Sequence, residues 1–236
     1  MEITELIRTH YPNAKTGSEI TETYLDLLAG EYKTKLSKML FATSVCSDDI
    51  NVSTDFRRVL KRPFTKGGLG GLPYTGYTGM ASFSQHIPDG GEGLIFYGPH
   101  VGITDEGELG KLRRIGQKRI TNCCGALMAA LSRIMSSDGT KPGTLKKYPE
   151  SDQQQNELER TLIPYREKII SSENPVKSIT DAAYEEIHSR ILKLVELAKG
   201  EFNCGRVFLL GGVIINTSQG YNDFVDLRNF DVIEVG

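Results

Sequence analysis

The sequence is sparing with the residues that most often do chemistry. Among its 236 residues are only four cysteines (Cys46, Cys123, Cys124 and Cys204) and four histidines (His10, His86, His100 and His188). A chain this long does not need disulfides to hold a fold, and two of the four thiols are adjacent, so they are either core filler or chemistry. Charge is equally unassertive: 28 Lys+Arg against 30 Asp+Glu leave a formal net charge of -2. That excludes a broad field able to recruit nucleic acid or an anionic membrane, and it favours a small, weakly charged partner. No run approaches the roughly 20 apolar residues of a membrane helix, and "MEITELIRTHYPN" lacks the basic-then-apolar layout of a signal peptide. The expected setting is soluble and cytoplasmic. Internal repeats and low-complexity tracts are absent as well.

What is present alternates. "SEITETYLDLLAGEYKTKL" has a Ser or Thr start and apolar residues at helical spacing, and the apolar run 39–45 follows it as a strand. "GLIFYGPH" reads as a second strand, broken at Gly98 and Pro99, and "CCGALMAALSRIM" as a helix. Ser137 to Pro149 is a polar linker. Helices resume with "SDQQQNELERTLIPYREKII" and "SITDAAYEEIHSRILKLVELAKG", the latter stopped at Gly200. "GRVFLLGGVIINT" gives a third strand and "DFVDLRNFDVIEVG" a fourth. The stretch from Pro63 to Gly93 is too rich in glycine for regular structure and reads as a loop. Strands separated by helices require crossover connections, so the expected class is α/β with a mostly parallel central sheet flanked by helices.

In open sheets of this kind ligands gather beyond the carboxyl ends of the strands. Cys46 with Asp48, and separately His100, stand at predicted strand ends. Cys123 and Cys124 stand at a helix start, where unpaired backbone N–H groups favour a thiolate. Three elements thus deliver Cys, His and Cys to one rim. That set suits zinc, with a fourth position left for water or a carboxylate. Plainer readings stand beside these: a free cysteine after a strand is usually a small buried hydrophobe, and His100 after Gly98-Pro99 could cap a turn. Cys204 reads as core, and His10 and His188 as solvated. "KGGLGGLPYTG" lacks the residue order of a phosphate-binding loop.

A C-x-D at a strand end, a histidine ending a later strand and a Cys-Gly opening a helix resemble the C-x-D-x-R and H-x-x-C-G motifs of the β-class carbonic anhydrases. The wide separation of His100 from Cys124, and the glycine-rich "GGLGGLPYTG", are more similar to the limiting-CO2-inducible B protein family. "CSDDIN", "FYGPHVGI" and "NCCGAL" carry the match, which spans about residues 39–135. The resemblance implies a β-carbonic-anhydrase-like fold, a homodimer, and reversible hydration of CO2 to bicarbonate by a zinc-activated hydroxide.

Zn2+ would sit on Cys46, His100 and Cys124, with Cys124 preferred to Cys123 because Gly125 follows it. Asp48 would be the carboxylate beside the open position. Ile50 stands where the motif has arginine, so Arg58, or else Arg57, is expected to hold Asp48. Glycines would let the chain fold close over the metal, with Phe64, Leu69, Leu72 and Phe83 walling a small apolar space for CO2. His86 would be a proton shuttle or a surface turn. The missing arginine also supports a different class of function, a catalytically silent zinc protein acting as scaffold or sensor in inorganic-carbon metabolism. Cys123 with Cys124 supports a third, a thiol redox protein. In outline, one domain is expected: N-terminal helices to about 38, a metal-site core over about 39–135, and C-terminal helices and strands over about 150–236.

Overall fold

The computed structural model describes residues 2–49, 53–61, 63–114, 116–136, 149–218 and 221–236. Ile50, and the expected linker apart from Pro149, lie outside the described residues. The elements run α1 (Ile3–His10), β1 (Lys15–Thr16), α2 (Gly17–Gly30), β2 (Met39–Ser44), α3 (Ser53–Leu60), β3 (Phe64–Thr65) and α4 (Gly76–Gln85). They continue with β4 (Glu92–Tyr97), β5 (His100–Gly102), β6 (Lys111–Leu112), β7 (Thr121–Asn122) and α5 (Gly125–Met135). The rest of the chain forms α6 (Gln153–Leu162), α7 (Arg166–Ile170), α8 (Pro175–Leu197), β8 (Arg206–Asn216) and β9 (Phe224–Glu234).

The sheet has the order β1-β9-β8-β4-β2-β3, with β5 also pairing β8. β2, β3, β4, β5 and β8 pair in parallel, as strands joined through helices must, whereas β9 runs antiparallel to β8 and β1. The expected fourth strand is therefore present, and it makes the sheet mixed but mostly parallel. Leu94 to Tyr97 of the central β4 are wholly buried, which explains why this strand reads as a continuous apolar run. One core packs α4, α5, α6 and α8 on one face; a second, with Phe41, Phe56, Phe96 and Phe208, packs α2 and α3 on the other. Among the described residues no helix is long and apolar enough to cross a membrane.

Three expectations need correction. The Pro63–Gly93 stretch is not all loop: Met80 and Phe83, one helical turn apart, are buried on the inner face of α4. Gly76 enters that helix at φ 58, a conformation that L side chains rarely adopt. The helix expected over 151–170 is two, α6 and α7, separated by a 3-10 turn at Ile163–Tyr165. Pro164 within it has no N–H to continue the α-helical ladder. Finally, α8 begins earlier than Ser178, at Pro175, because the Asn174 side chain accepts from the Lys177 N–H. Gly200 lies beyond its end in a short 3-10 turn.

Candidate metal centre

Two strand breaks and one helix start build the site. β2 ends at Ser44 and releases Cys46. β4 pairs with the first half of β8 as far as Gly211, and β5 pairs with its second half from Ile214. The chain steps between them through Gly98 and Pro99, so His100 opens a new short strand rather than ending the old one. Only glycine fits at the step, since a Cβ at Gly98 would lie 1.7 Å from the Gly212 carbonyl oxygen. Cys124 is the N-cap of α5, in extended conformation, with the free N–H groups of the first turn ahead of it.

These residues converge. One donor atom from each of Cys46, Asp48, His100 and Cys124 lies within 4.8 Å of every other. The two Sγ atoms are 3.5 Å apart, and the Gly70 N–H donates to Cys46 Sγ at 3.2 Å. His100 Nε2 is 2.7 Å from Asp48 Oδ1, and Arg114 Nη2 is 3.5 Å from Asp48 Oδ2. Cys46, His100 and Cys124 are each at most 2% exposed, while the Asp48 side chain is 41% exposed, so Asp48 is the side of the cluster that meets solvent.

The electrostatics suit a cation. The contact between the two sulfurs raises the pKa of Cys46 and lowers that of Cys124 well below the usual thiol range. Burial alone would lower the His100 pKa, but the Cys124 thiolate and the Asp48 carboxylate outweigh it and raise it. Burial alone would likewise raise the Asp48 carboxyl; His100, with Cys46 and Arg114, holds it low instead.

A divalent ion fits this donor set. Tetrahedral zinc with metal–sulfur bonds of about 2.3 Å holds two sulfurs roughly 3.8 Å apart, close to the 3.5 Å observed. The buried His100 Nε2 forms no hydrogen bond of good geometry. Its Nδ1–H donates to Asn216 Oδ1 at 2.6 Å, so Nε2 is the nitrogen that faces the centre.

The other expected residues are placed as follows. Cys123 is not one of the four: its Sγ is 3.6 Å from His100 Nδ1 and 3.5 Å from Asn216 Oδ1, on the far side of the ring. Arg58 does not hold Asp48; it is exposed and paired with Asp55 one helical turn earlier, and Arg57 is exposed beside it. The guanidinium at Asp48 belongs to Arg114, which also donates to Thr121 Oγ1.

Leu69 and Leu72 flank Gly70 on the loop that contacts Cys46, with Leu72 buried. Phe64 and Phe83 pack against each other, edge to face, in the core cluster that also contains Cys46 and Cys124. Phe64 pairs with Ala42, two residues before the end of β2, and both rings pack on the ammonium of Lys66. His86 caps α4, its Nδ1–H donating to Ser82 O at 2.7 Å. His188 is not a solvated histidine: it stacks on Tyr97 and Tyr184 and bonds the Tyr97 hydroxyl at 2.7 Å. Arg114 and Asn216 carried no motif that could have drawn attention to them.

Residues 16–234 match the sequence family described as limiting CO2-inducible proteins B/C beta carbonic anhydrases. No curated protein matches the chain. The crystal structure of PtLCIB4, a homolog of the limiting CO2-inducible protein LCIB, superposes with a TM-score of 0.90 at 27% identity, covering 98% of this chain and 96% of that one. A histidine-to-alanine mutant of the same homolog gives 0.89 at 27% identity, covering 98% of this chain and 94% of that one. LCIB itself superposes over 100% of both chains with a TM-score of 0.72; at 18% identity that likeness speaks for the fold alone.

Proposed function

The chain belongs to the family of limiting CO2-inducible proteins B/C, and from that premise we propose that it is a zinc-dependent carbonic anhydrase interconverting CO2 and bicarbonate. The observation that carries the reading is the convergence of Cys46, Asp48, His100 and Cys124 on one point. Two thiolates, one imidazole and one carboxylate are a borderline-soft set, which favours zinc over magnesium or calcium. When bound, zinc supplies the Lewis acidity that brings the pKa of water to about 7 and makes a hydroxide nucleophile available at neutral pH.

The remaining work falls to the chain. Cys46, His100 and Cys124 would hold the ion from the buried side. Asp48, at the solvent side, touches His100 through one oxygen and Arg114 through the other, and would have two stations: on the cluster beside His100, or drawn outward by Arg114. In the second it would accept a hydrogen bond from the oxygen at the open position and so orient that oxygen toward CO2. In the first it occupies the position that a water needs. Arg114 thereby takes the place that Ile50 leaves vacant in the motif. Stopped-flow CO2 hydration by the zinc-loaded protein, run beside Cys46→Ala, tests the proposal; equal rates for the two proteins would remove it.

The 2.7 Å approach of Asp48 to His100 Nε2 favours a second reading, a zinc-bearing but silent member of the family acting as scaffold or sensor. Stoichiometric zinc without hydration above the buffer rate selects it. The homodimer and cytoplasmic setting belong to the same proposal, and light scattering and cell fractionation test them.

A further inference from the structure

Asp48 and Asp49 are neighbours in sequence, yet they face different partners. Asp49 is 7% exposed and turns away from the solvent side of the cluster toward Asn216, the last residue of β8, which is 4% exposed. Asn216 Nδ2 donates to Asp49 Oδ1 at 3.1 Å and to Asp223 Oδ2 at 3.1 Å. Asp223 is in turn fixed through Oδ1 by the Thr217 N–H at 2.8 Å. Both protons of the amide nitrogen are therefore committed to carboxylates.

That commitment decides the far end of the amide. A flipped amide would point its oxygen at two carboxylates, so the flip is closed and Oδ1 has to face His100. An oxygen has no proton to give, and at 2.6 Å the His100 Nδ1 must supply the one in that bond. Nδ1 is therefore the protonated nitrogen, and Nε2 is the nitrogen presented to Cys46, Asp48 and Cys124. Backbone pairing reinforces the placement: Asn216 lies opposite Gly102 on β5, and its carbonyl accepts the Ile103 N–H at 3.0 Å. Asn216 and His100 are 116 residues apart in sequence, and Asn216 and Asp49 are 167 apart, so the tertiary fold itself assembles this chain of contacts.

We infer that Asn216, with its orientation locked by Asp49 and Asp223, is a positioning residue that sets the His100 tautomer and aims Nε2 at the metal. This rests on the metal reading above. It assigns Asp49 a task separate from that of Asp48: one carboxylate works at the open side, and the other holds the ligand from behind.

The test is zinc affinity by chelator competition, with nitrogen-15 NMR of the zinc-loaded protein. In the parent, the His100 ring shows metal on Nε2 and a slowly exchanging Nδ1–H. Asn216→Leu, similar in size but without acceptor or donors, lowers zinc affinity by about 10- to 100-fold, the usual effect of removing such a contact behind a metal ligand. Should Asn216→Leu fail to fold, Asp49→Asn decides. It keeps the shape, lets the Asn216 amide turn, and is expected to weaken zinc binding and speed exchange of the Nδ1 proton. Unchanged affinity in the folded variants, or a zinc-loaded parent with metal on Nδ1, overturns the inference. A parent that takes up no zinc ends the metal reading as well, so the two failures are told apart.

Discussion

Arg114 Nη2 lies 3.5 Å from Asp48 Oδ2 while the other oxygen of the same carboxylate lies 2.7 Å from His100 Nε2, so one carboxylate stands between a guanidinium and an imidazole. The arginine pulls it toward solvent and the imidazole toward the cluster. Arg114→Ala should leave Asp48 on the cluster. We expect zinc content to hold and CO2 hydration to fall by roughly 10- to 100-fold, the range typical of contacts that orient a group in a metal site. Arg58→Ala is the control. Its side chain is 67% exposed and, among the described residues, ion-paired with Asp55, an arrangement worth about 0–1 kcal/mol. Hydration should be unaffected by it, and a loss equal to that of Arg114→Ala would return Arg58 to the site.

Cys123 and Cys124 are adjacent in sequence and distinct in task. Cys124 touches Cys46 at 3.5 Å, whereas Cys123 lies against the Nδ1 side of His100. Cys124→Ser should therefore abolish stoichiometric zinc and the rise in melting temperature that a ligand binding only the folded state confers. Cys123→Ser should keep both. Zinc per chain by atomic absorption, with thermal melts in zinc and in chelator, measures the pair of variants. A Cys123→Ser protein that behaves like Cys124→Ser would show the ligand assignment to be inverted.

Much of the centre was legible because each of its four members stands where local sequence already breaks an element. Cys46 and Asp48 follow the end of an apolar run, His100 follows Gly98-Pro99, and Cys124 opens a helix. Arg114 and Asn216 escaped notice for a physical reason: they act through contacts made only when distant segments meet, and an asparagine closing an apolar strand reads as an ordinary strand end. Periodicity failed in the Pro63–Gly93 stretch because Gly76 and Gly79 dilute the helical signal. The burial of Met80 and Phe83, a tertiary effect, decides for helix there. His188 misled in the same way: a polar residue on a polar-looking helix gives no hint that Tyr97 lies beneath it.

The step at Gly98 links stability to the centre. The chain passes there at φ 155, and an added Cβ would meet the Gly212 backbone oxygen at 1.7 Å. Backbone on both sides cannot yield as a side chain would. Gly98→Ala should cost at least ~1–3 kcal/mol, the usual range for overpacking a core. It should also displace His100, two residues on, and so lose zinc. Denaturant unfolding with and without zinc reads both effects. A variant as stable as the parent would mean that β4 and β5 do not approach β8 as closely as described.

Lys66 yields a prediction about pH. Its side chain is buried, 1% exposed, with one hydrogen bond from Nζ to Gly79 O at 2.8 Å and the rings of Phe64 and Phe83 within 5.0 Å. No carboxylate is paired with it among the described residues, and burial lowers its pKa from 10.5 to about 7. Between those two values the unfolded chain holds the proton and the folded chain does not. Stability therefore rises with pH across that window, and the penalty of burying the ammonium is present in full below about 7. Lys66→Met removes the penalty. The variant should be more stable than the parent near pH 6, by an amount on the order of a few kcal/mol less the lost hydrogen bond. The difference should shrink steadily as pH climbs toward 10. Denaturant unfolding of the two proteins at a series of pH values measures it. A gap that stays constant with pH would mean that Lys66 keeps an ordinary ammonium in the fold, and a gap that widens with pH would reverse the sign of the argument.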